Sequence, residues 1–535
     1  MMVYGDPQYQ ISSKRFLANF SERFKRARAD NLDDVRALLI QAGQFEQGMA
    51  DAGRDERGRT DLLATAFYNL WKGRPADLSL LRDLQEGPDL TLSIKIPEGY
   101  EFYALYPEQY MATTEALAKE RGRQRAFVIG IRSIGTSLSA AVCAALQAHG
   151  WTTTRYTVRP EGHPFHREAK LPSLDANSFD LAIIVDEGPG LSGSSVSSIW
   201  NSLHGAGLSK IVIFPGHQNG PGSAASESTR AIWAKAEKRF TPAQPLPFRN
   251  IGAGKWRELL QGDWPRAFIP FERAKYLSDE GVLWKFAGLG AAYENGKTGI
   301  ELACERMEAL AAEGFGPAPI ETKDGFVAMP WIKGTRLTKR DARDPAILDF
   351  LFQYVVRFAG LPLDPDEMRA GQDRLSEMAV ANTREALGDK WAQVAQHKLN
   401  RGRDLRMFQS YGDGHLAPHE WVRNSDGRIL KVDSFGHDAD HTLIGRQSIV
   451  WDFAGLILEC DMPAAQASDV IQSLSRQGVC LTEDVLEFYQ LAYSAFRMGL
   501  CNFCGAQTTD QGEKTRLAAA EKSYCHKLLH ILNRE

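Results

Sequence analysis

Cysteine is scarce, with seven in 535 residues. The number is odd and the residues are mostly scattered, which argues for reduced thiols and against a disulfide framework. No uninterrupted apolar run reaches the ~18 residues that a membrane helix needs, and the opening MMVYGDPQYQISSKRF has no apolar signal core. A cytoplasmic protein without membrane partners is therefore expected. Charge of one sign is missing too: 63 Lys and Arg stand against 67 Asp and Glu, a net −4. That balance removes any general attraction to nucleic acid. Internal repeats and low-complexity tracts are also lacking. A hydrophobic fraction of 43% with 24% charged residues excludes a disordered or fibrous chain.

What is present exceeds a single core, because domains usually span about 100–200 residues. The texture predicts a helical N-terminal segment over 1–90, where DNLDDVRALLIQAGQFEQ has apolar residues at helical spacing and an acidic first turn. Its default roles are a cap or a homodimer contact. Over 91–238, short apolar runs such as RAFVIGI, DLAIIVD and SKIVIF alternate with helical stretches, the pattern of a parallel α/β sheet. Residues 239–264 contain the Pro/Gly-rich RFTPAQPLPFRNIGAG and read as a linker. GAGKW within it lacks the spacing of a phosphate-binding loop and the Ser or Thr after its lysine. Residues 265–535 read as an α+β half that becomes mostly helical, interrupted by GRILKVDSF. CNFC (Cys501, Cys504) and CHKLLH (Cys525, His526, His530) could hold zinc, but the first pair lies in a helical pattern that favours buried core thiols.

Two stretches carry chemistry. In DLAIIVDEGPGLSGSS, Asp186 and Glu187 leave a strand as acceptors suited to vicinal hydroxyls and a magnesium ion. Leu191, Ser192, Gly193, Ser194 and Ser195 follow at a helix start, where backbone N–H groups and hydroxyls can cradle a phosphate. The stretch resembles the signature of type I phosphoribosyltransferases. RAFVIGIRSIGTSLSAA strengthens the resemblance, standing where that family binds pyrophosphate, with Arg132 supplying charge and Ser133, Gly135, Thr136 and Ser137 admitting the anion. Between them RYTVRPEGHPFHREAKLP gathers Arg155, Arg159, His163, His166, Arg167 and Lys170, and reads either as a closing flap or as a solvated basic loop. The resemblance implies binding of phosphoribosyl diphosphate.

In YGDGHLAPHEWVRNSDGRILKVDSFG, Asp413 lies on a loop and Asp433 just beyond a strand, the two carboxylates that magnesium-dependent phosphoryl transfer requires. Tyr411, Gly412, Asp413 and His415 resemble the catalytic loop of the aminoglycoside phosphotransferase and choline kinase superfamily. That resemblance makes Asp413 the group acting on the acceptor hydroxyl and Asp433 a metal ligand. Lys285 in VLWKF matches its nucleotide-contacting lysine, the helix with Glu301 and Glu305 the one bearing the lysine's partner, GFVAMPWIKG the hinge, and Asp452 in WDFAG the aspartate supporting the loop. At the family's metal-binding Asn this chain has one extra residue and then His419 and Glu420, so His419 is the second metal candidate. No glycine-rich loop is evident ahead of Lys285. The whole implies a bifunctional transferase using phosphoribosyl diphosphate, ATP, Mg2+ and a small-molecule acceptor. Its rival is a nucleotide or phosphoribosyl-diphosphate sensor with a degenerate kinase-like scaffold.

Overall fold

The computed structural model describes residues 1–5, 8–79, 89–222, 225–260, 263–294, 296–358, 364–403, 412–437, 442–463, 468, 471–472 and 481–534. They form two compact units: Pro7–Pro247 with Gly288–Glu301, here the N-terminal unit, and Met1–Asp6 with Phe248–Ala287 and Leu302–Glu535, the C-terminal unit. The chain passes from one to the other after Asp6, Pro247, Ala287 and Glu301.

The N-terminal unit begins with strand β1 (Gln8–Ser12), ahead of the helices read from the sequence; β1 pairs antiparallel with β2 (Thr91–Lys95). QYQIS escapes a periodicity reading because it is short and polar. Helices α1 (Ser13–Arg26), α2 (Leu32–Asp51) and α3 (Gly58–Trp71) follow. Asn31 caps α2 by accepting from the Asp34 amide, and Asp33 and Asp34 favour the positive end of the helix. Nearly all of α2 from Val35 to Met49 is buried, because it packs on α3, on β2 and on α5, a helix of the α/β layer. The N-terminal helices are thus part of one body with that layer.

Helix α4 (Pro107–Arg121) leads to β3 (Arg125–Ile131), α5 (Ile134–Ala148), β4 (Thr152–Val158), the hairpin β5 (Glu161–His163) and β6 (His166–Glu168), β7 (Leu181–Val185), α6 (Ser194–Gly205), β8 (Ile211–Phe214), α7 (Glu227–Lys235) and β9 (Glu237–Lys238). Five strands make a parallel sheet in the order β4-β3-β7-β8-β9. AFVIGI and LAIIV are fully buried, which is why they read as continuous apolar runs rather than alternating ones.

In the C-terminal unit, β10 (Arg249–Asn250), β11 (Lys275–Leu277), β12 (Val282–Phe286), β13 (Glu321–Lys323) and β14 (Phe326–Pro330) form an antiparallel sheet ordered β10-β11-β12-β14-β13. Helix α8 (Gly299–Ala312) lies in sequence between β12 and β13. A smaller sheet joins β15 (Thr335–Arg336), β16 (Trp421–Arg423) and β17 (Ile429–Lys431). The helices are α9 (Pro345–Val356), α10 (Pro365–Leu387), α11 (Asp389–Arg401), α12 (Val450–Glu459), α13 (Glu483–Gln507) and α14 (Gln511–Leu532). Their core collects Tyr354, Trp421, Trp451, Phe453, Phe488 and Tyr493. Cys501 and Cys504 are buried on α13 within this core, and burial pushes the Cys501 thiol up to about 12. Among the described residues no helix is long and apolar enough to cross a membrane.

Candidate functional site

Strand β12 carries Lys285 next to β11, where Lys275 is its cross-strand partner. Two ammonium groups directly opposite repel unless an anion lies between them. Asp433, two residues beyond β17, supplies it: its carboxylate pairs with Lys285 and lies 3.7 Å from the Lys275 ammonium. Lys285 also donates to the Phe435 carbonyl at 2.6 Å. Burial pushes Lys285 down to about 8 against the pull of Asp433. Burial would raise Asp433, but Lys285 and Lys275 outweigh it and hold the carboxyl well below its ordinary range. Lys275 was not singled out from sequence; the signal was there in KYLSDEGVLWK, where a tight turn sets the two lysines at matching positions. The GAGKW segment forms the connection leaving β10, with the Ile251 and Gly252 amides donating to the Lys275 carbonyl at 2.9 and 3.2 Å.

The Asp413 loop is pinned from beneath by α12. Asp452 accepts from the amides of Asp413 at 2.6 Å and Gly414 at 2.8 Å. A Cβ on Gly412 would fall 1.7 Å from the Asp452 carboxylate, so this position must be glycine. Burial and the neighbouring Asp413 push Asp452 up to about 7. Asp413 is fully buried, bonded to the Tyr354 hydroxyl, 3.0 Å from His437 Nδ1 and 3.5 Å from the Lys431 ammonium. Burial would raise its carboxyl, but Lys431 and His437 hold it well below the usual carboxylate range. Lys431, itself fully buried, also binds Glu420 at 2.8 Å, and Glu420 pairs with His415.

His419 borders this set, its ring stacked on Trp256 at 6.5 Å between centroids and edge to face with His415 at 6.3 Å, with burial pushing it down to about 3. Magnesium prefers hard oxygen ligands. Asp433, one-fifth exposed, fits that demand; the stacked His419 ring does not. Glu305 is exposed on α8, and the Lys285 ammonium is held by Asp433 and Phe435. Glu301 caps the start of α8, accepting from the Thr298 amide at 2.6 Å. Tyr411 lies outside the described residues.

In the N-terminal unit Asp186 and Glu187 stand beyond the carboxyl end of β7, where ligands of parallel α/β sheets bind. Burial pushes Asp186 up to about 6. Glu187 accepts from the Gly99 amide at 2.6 Å. Gly193 takes a left-handed conformation at the cap of α6, and Leu191 is exposed while Ser195 is half-buried. The Ser192 and Ser194 hydroxyls both donate to the Pro164 carbonyl, at 2.7 and 2.6 Å, so the tip of the β5–β6 hairpin sits on this loop. Ser133 has a φ of 111° ahead of α5, and Gly135 packs against Gly130. Thr136 and Ser137 are buried, Ser137 bonding Tyr100 at 2.8 Å.

The basic residues between the two loops do not share one surface. Arg132 and Arg159 both bind Asp51 of α2, at 3.1 and 2.6 Å. Arg155, counted with the flap from its sequence position, is buried on β4 against Glu46 and Asp61 at 2.8 and 2.7 Å. Arg167 donates to the Pro160 carbonyl at 2.9 Å, while His163 is exposed on the hairpin.

No protein-family model matches the chain, and no curated protein matches it. Among solved structures it is similar to the choline kinase LicA from Streptococcus pneumoniae, at 12% identity over 48% of this chain and 90% of that one, with a TM-score of 0.32. A choline kinase from Cryptosporidium parvum Iowa II covers 50% of this chain and 89% of its own at 10% identity and a TM-score of 0.32. An ADP-bound aminoglycoside phosphotransferase covers 53% and 95% at 10% identity, TM-score 0.29.

Proposed function

We propose that the C-terminal unit binds ATP and transfers its terminal phosphoryl group to a hydroxyl of a small molecule. The observation that carries this reading is the convergence of Lys285, Asp433 and Asp413 from a strand, a strand exit and a loop fixed by Asp452. Lys285 and Lys275 would meet the nucleotide phosphates, exchanging Asp433 for them. Asp433 would hold magnesium, which neutralises charge on the phosphates when bound. Asp413 would orient the acceptor hydroxyl and take its proton. Because His437 covers Asp413, an acceptor reaches it only when that ring swings aside. The full burial of Asp413 also favours a second reading, a nucleotide-responsive regulator without turnover.

For the N-terminal unit we propose binding of phosphoribosyl diphosphate. Asp186 and Glu187 would grip the ribose hydroxyls, and the 5-phosphate would replace the Pro164 carbonyl on Ser192 and Ser194. Arg132 would reach the diphosphate after release from Asp51. Phosphoribosyl transfer to an acceptor completes the bifunctional reading. Melting curves of the full chain with ATP and with phosphoribosyl diphosphate, each with and without Mg2+, test both units, since a ligand that binds only the folded state raises Tm. A rise with Mg2+–ATP but no phosphate release in the presence of candidate alcohols would select the regulator.

A further inference from the structure

The side chains around Asp413 include a group that nucleotide chemistry does not use. His415 leaves the catalytic-type loop, Glu420 ends the short turn before β16, and His437 follows β17, yet one donor atom from each lies within 4.8 Å of the other two. The two imidazoles meet edge to face, with centroids 5.3 Å apart. From this geometry we infer a binding site for a divalent first-row transition ion, of the zinc and cobalt class, on His415, Glu420 and His437.

Two features make the site built rather than incidental. His415 Nδ1 closely faces a Glu420 oxygen, an arrangement that needs a proton or a cation between the two. The outer contacts are those that orient metal ligands: His437 Nδ1 meets the Asp413 carboxylate at 3.0 Å, its Nε2 lies 3.6 Å from Asp433, and Lys431 holds the other Glu420 oxygen at 2.8 Å. A carboxylate behind a ligating imidazole fixes its ring and tautomer.

Two imidazoles with one carboxylate suit zinc, cobalt or iron better than magnesium, which favours oxygen ligands and dehydrates reluctantly. Three protein ligands leave a coordination position open. Asp433 borders the site, 3.6 Å from His437 Nε2, and an ion held by His437 would keep that ring over Asp413, so the metal is tested without nucleotide.

The probe is Co2+ added to the chelator-treated full-length chain without nucleotide, followed by the visible absorption of the bound ion and by elemental analysis. The expected result is one Co2+ per chain, displaced by stoichiometric Zn2+ and retained in millimolar Mg2+. His437→Ala and Glu420→Gln should each weaken Co2+ by more than the roughly 10–100-fold that loss of an outer-shell partner costs, and Asp413→Asn by about that range. His419→Ala should leave Co2+ affinity unchanged. Circular dichroism checks that each variant folds, and Glu420→Gln serves if His437→Ala does not. Failure of the folded wild type to bind Co2+, or undiminished binding by a folded ligand variant, overturns the assignment. A chain that binds Co2+ but never ATP retains the metal site and loses only the phosphotransferase.

Discussion

In the C-terminal unit the cations Lys285 and Lys275 face Asp433, a carboxylate that in the proposed function a metal-bound nucleotide would take over while the lysines turn to its phosphates. In the N-terminal unit the cations Arg132 and Arg159 are both held by Asp51, on a helix 81 and 108 residues earlier in the chain, and the serine hydroxyls by a carbonyl of the unit's own hairpin. The first arrangement exchanges one partner within the ligand's own footprint. The second must first break contacts to elements that a ligand would not touch. Residues of the right type at the right spacing are therefore closer to use in one unit than in the other.

The sharpest way to break this contrast is at Asp413. Asp413→Asn should lower phosphoryl transfer by about 10²–10⁴-fold while leaving ATP affinity nearly intact, because the proposed function has this residue act on the acceptor hydroxyl. Single-turnover transfer alongside calorimetric ATP titration checks it, and a loss of ATP affinity would recast Asp413 as part of the nucleotide site.

Next in size is the support beneath that loop. Asp452→Ala leaves the buried amides of Asp413 and Gly414 without an acceptor, at about 1–3 kcal/mol each. Urea unfolding should show the loss, and an unchanged midpoint would mean that the loop does not depend on α12.

These loops show what the sequence does and does not make legible. Lys285, Asp413, Asp433 and Asp452 could be picked out in order along the chain because each sits in a short local pattern: a strand, a glycine loop, a strand exit, a helix start. Lys275, Lys431 and His437 could not, since their roles depend on cross-strand register and on which loop folds over Asp413. His419 shows the converse. Its position in the motif suggests a metal ligand, whereas its ring packs against Trp256 and His415 and it is Glu420 that pairs with His415. In the N-terminal unit the parallel sheet was legible from unbroken apolar runs, whereas β1 was too short and polar to register. Arg155 was misplaced because charge density along a chain says nothing about which side of a strand a residue faces.

A smaller effect is expected from loosening the N-terminal unit. Asp51→Ala removes the carboxylate that holds Arg132 and Arg159, leaving Arg132 only its contacts to Thr157 and the Ala50 carbonyl, and should tighten phosphoribosyl diphosphate by about tenfold, ~1.4 kcal/mol, bringing this unit closer to the other. Calorimetry is the check; unchanged or weaker binding would mean that the arginines serve the fold alone.

The smallest effect is a pH dependence. Burial raises Asp186 from 3.8 to about 6, so the folded chain holds a proton there that the unfolded chain gives up. That contribution to stability is full below about pH 4 and is lost as pH rises through about 6. Asp186→Asn should therefore melt higher than wild type at pH 7.5, with the gap closing toward pH 4. A gap that does not vary with pH would place the charged carboxylate in a solvated setting.

The central claim is that Lys285 and Asp433 form the binding site for a magnesium-bound nucleotide. Calorimetric titration of the full chain with ATP, in Mg2+ and in chelator, tests it most directly when wild type is run beside Lys285→Met and Asp433→Asn. The account predicts Mg2+-dependent binding by wild type that both substitutions abolish or weaken at least about tenfold, a loss of ~1.4 kcal/mol. Absence of ATP binding at millimolar concentration by folded wild type, or full Mg2+-dependent binding by folded Asp433→Asn, would contradict it.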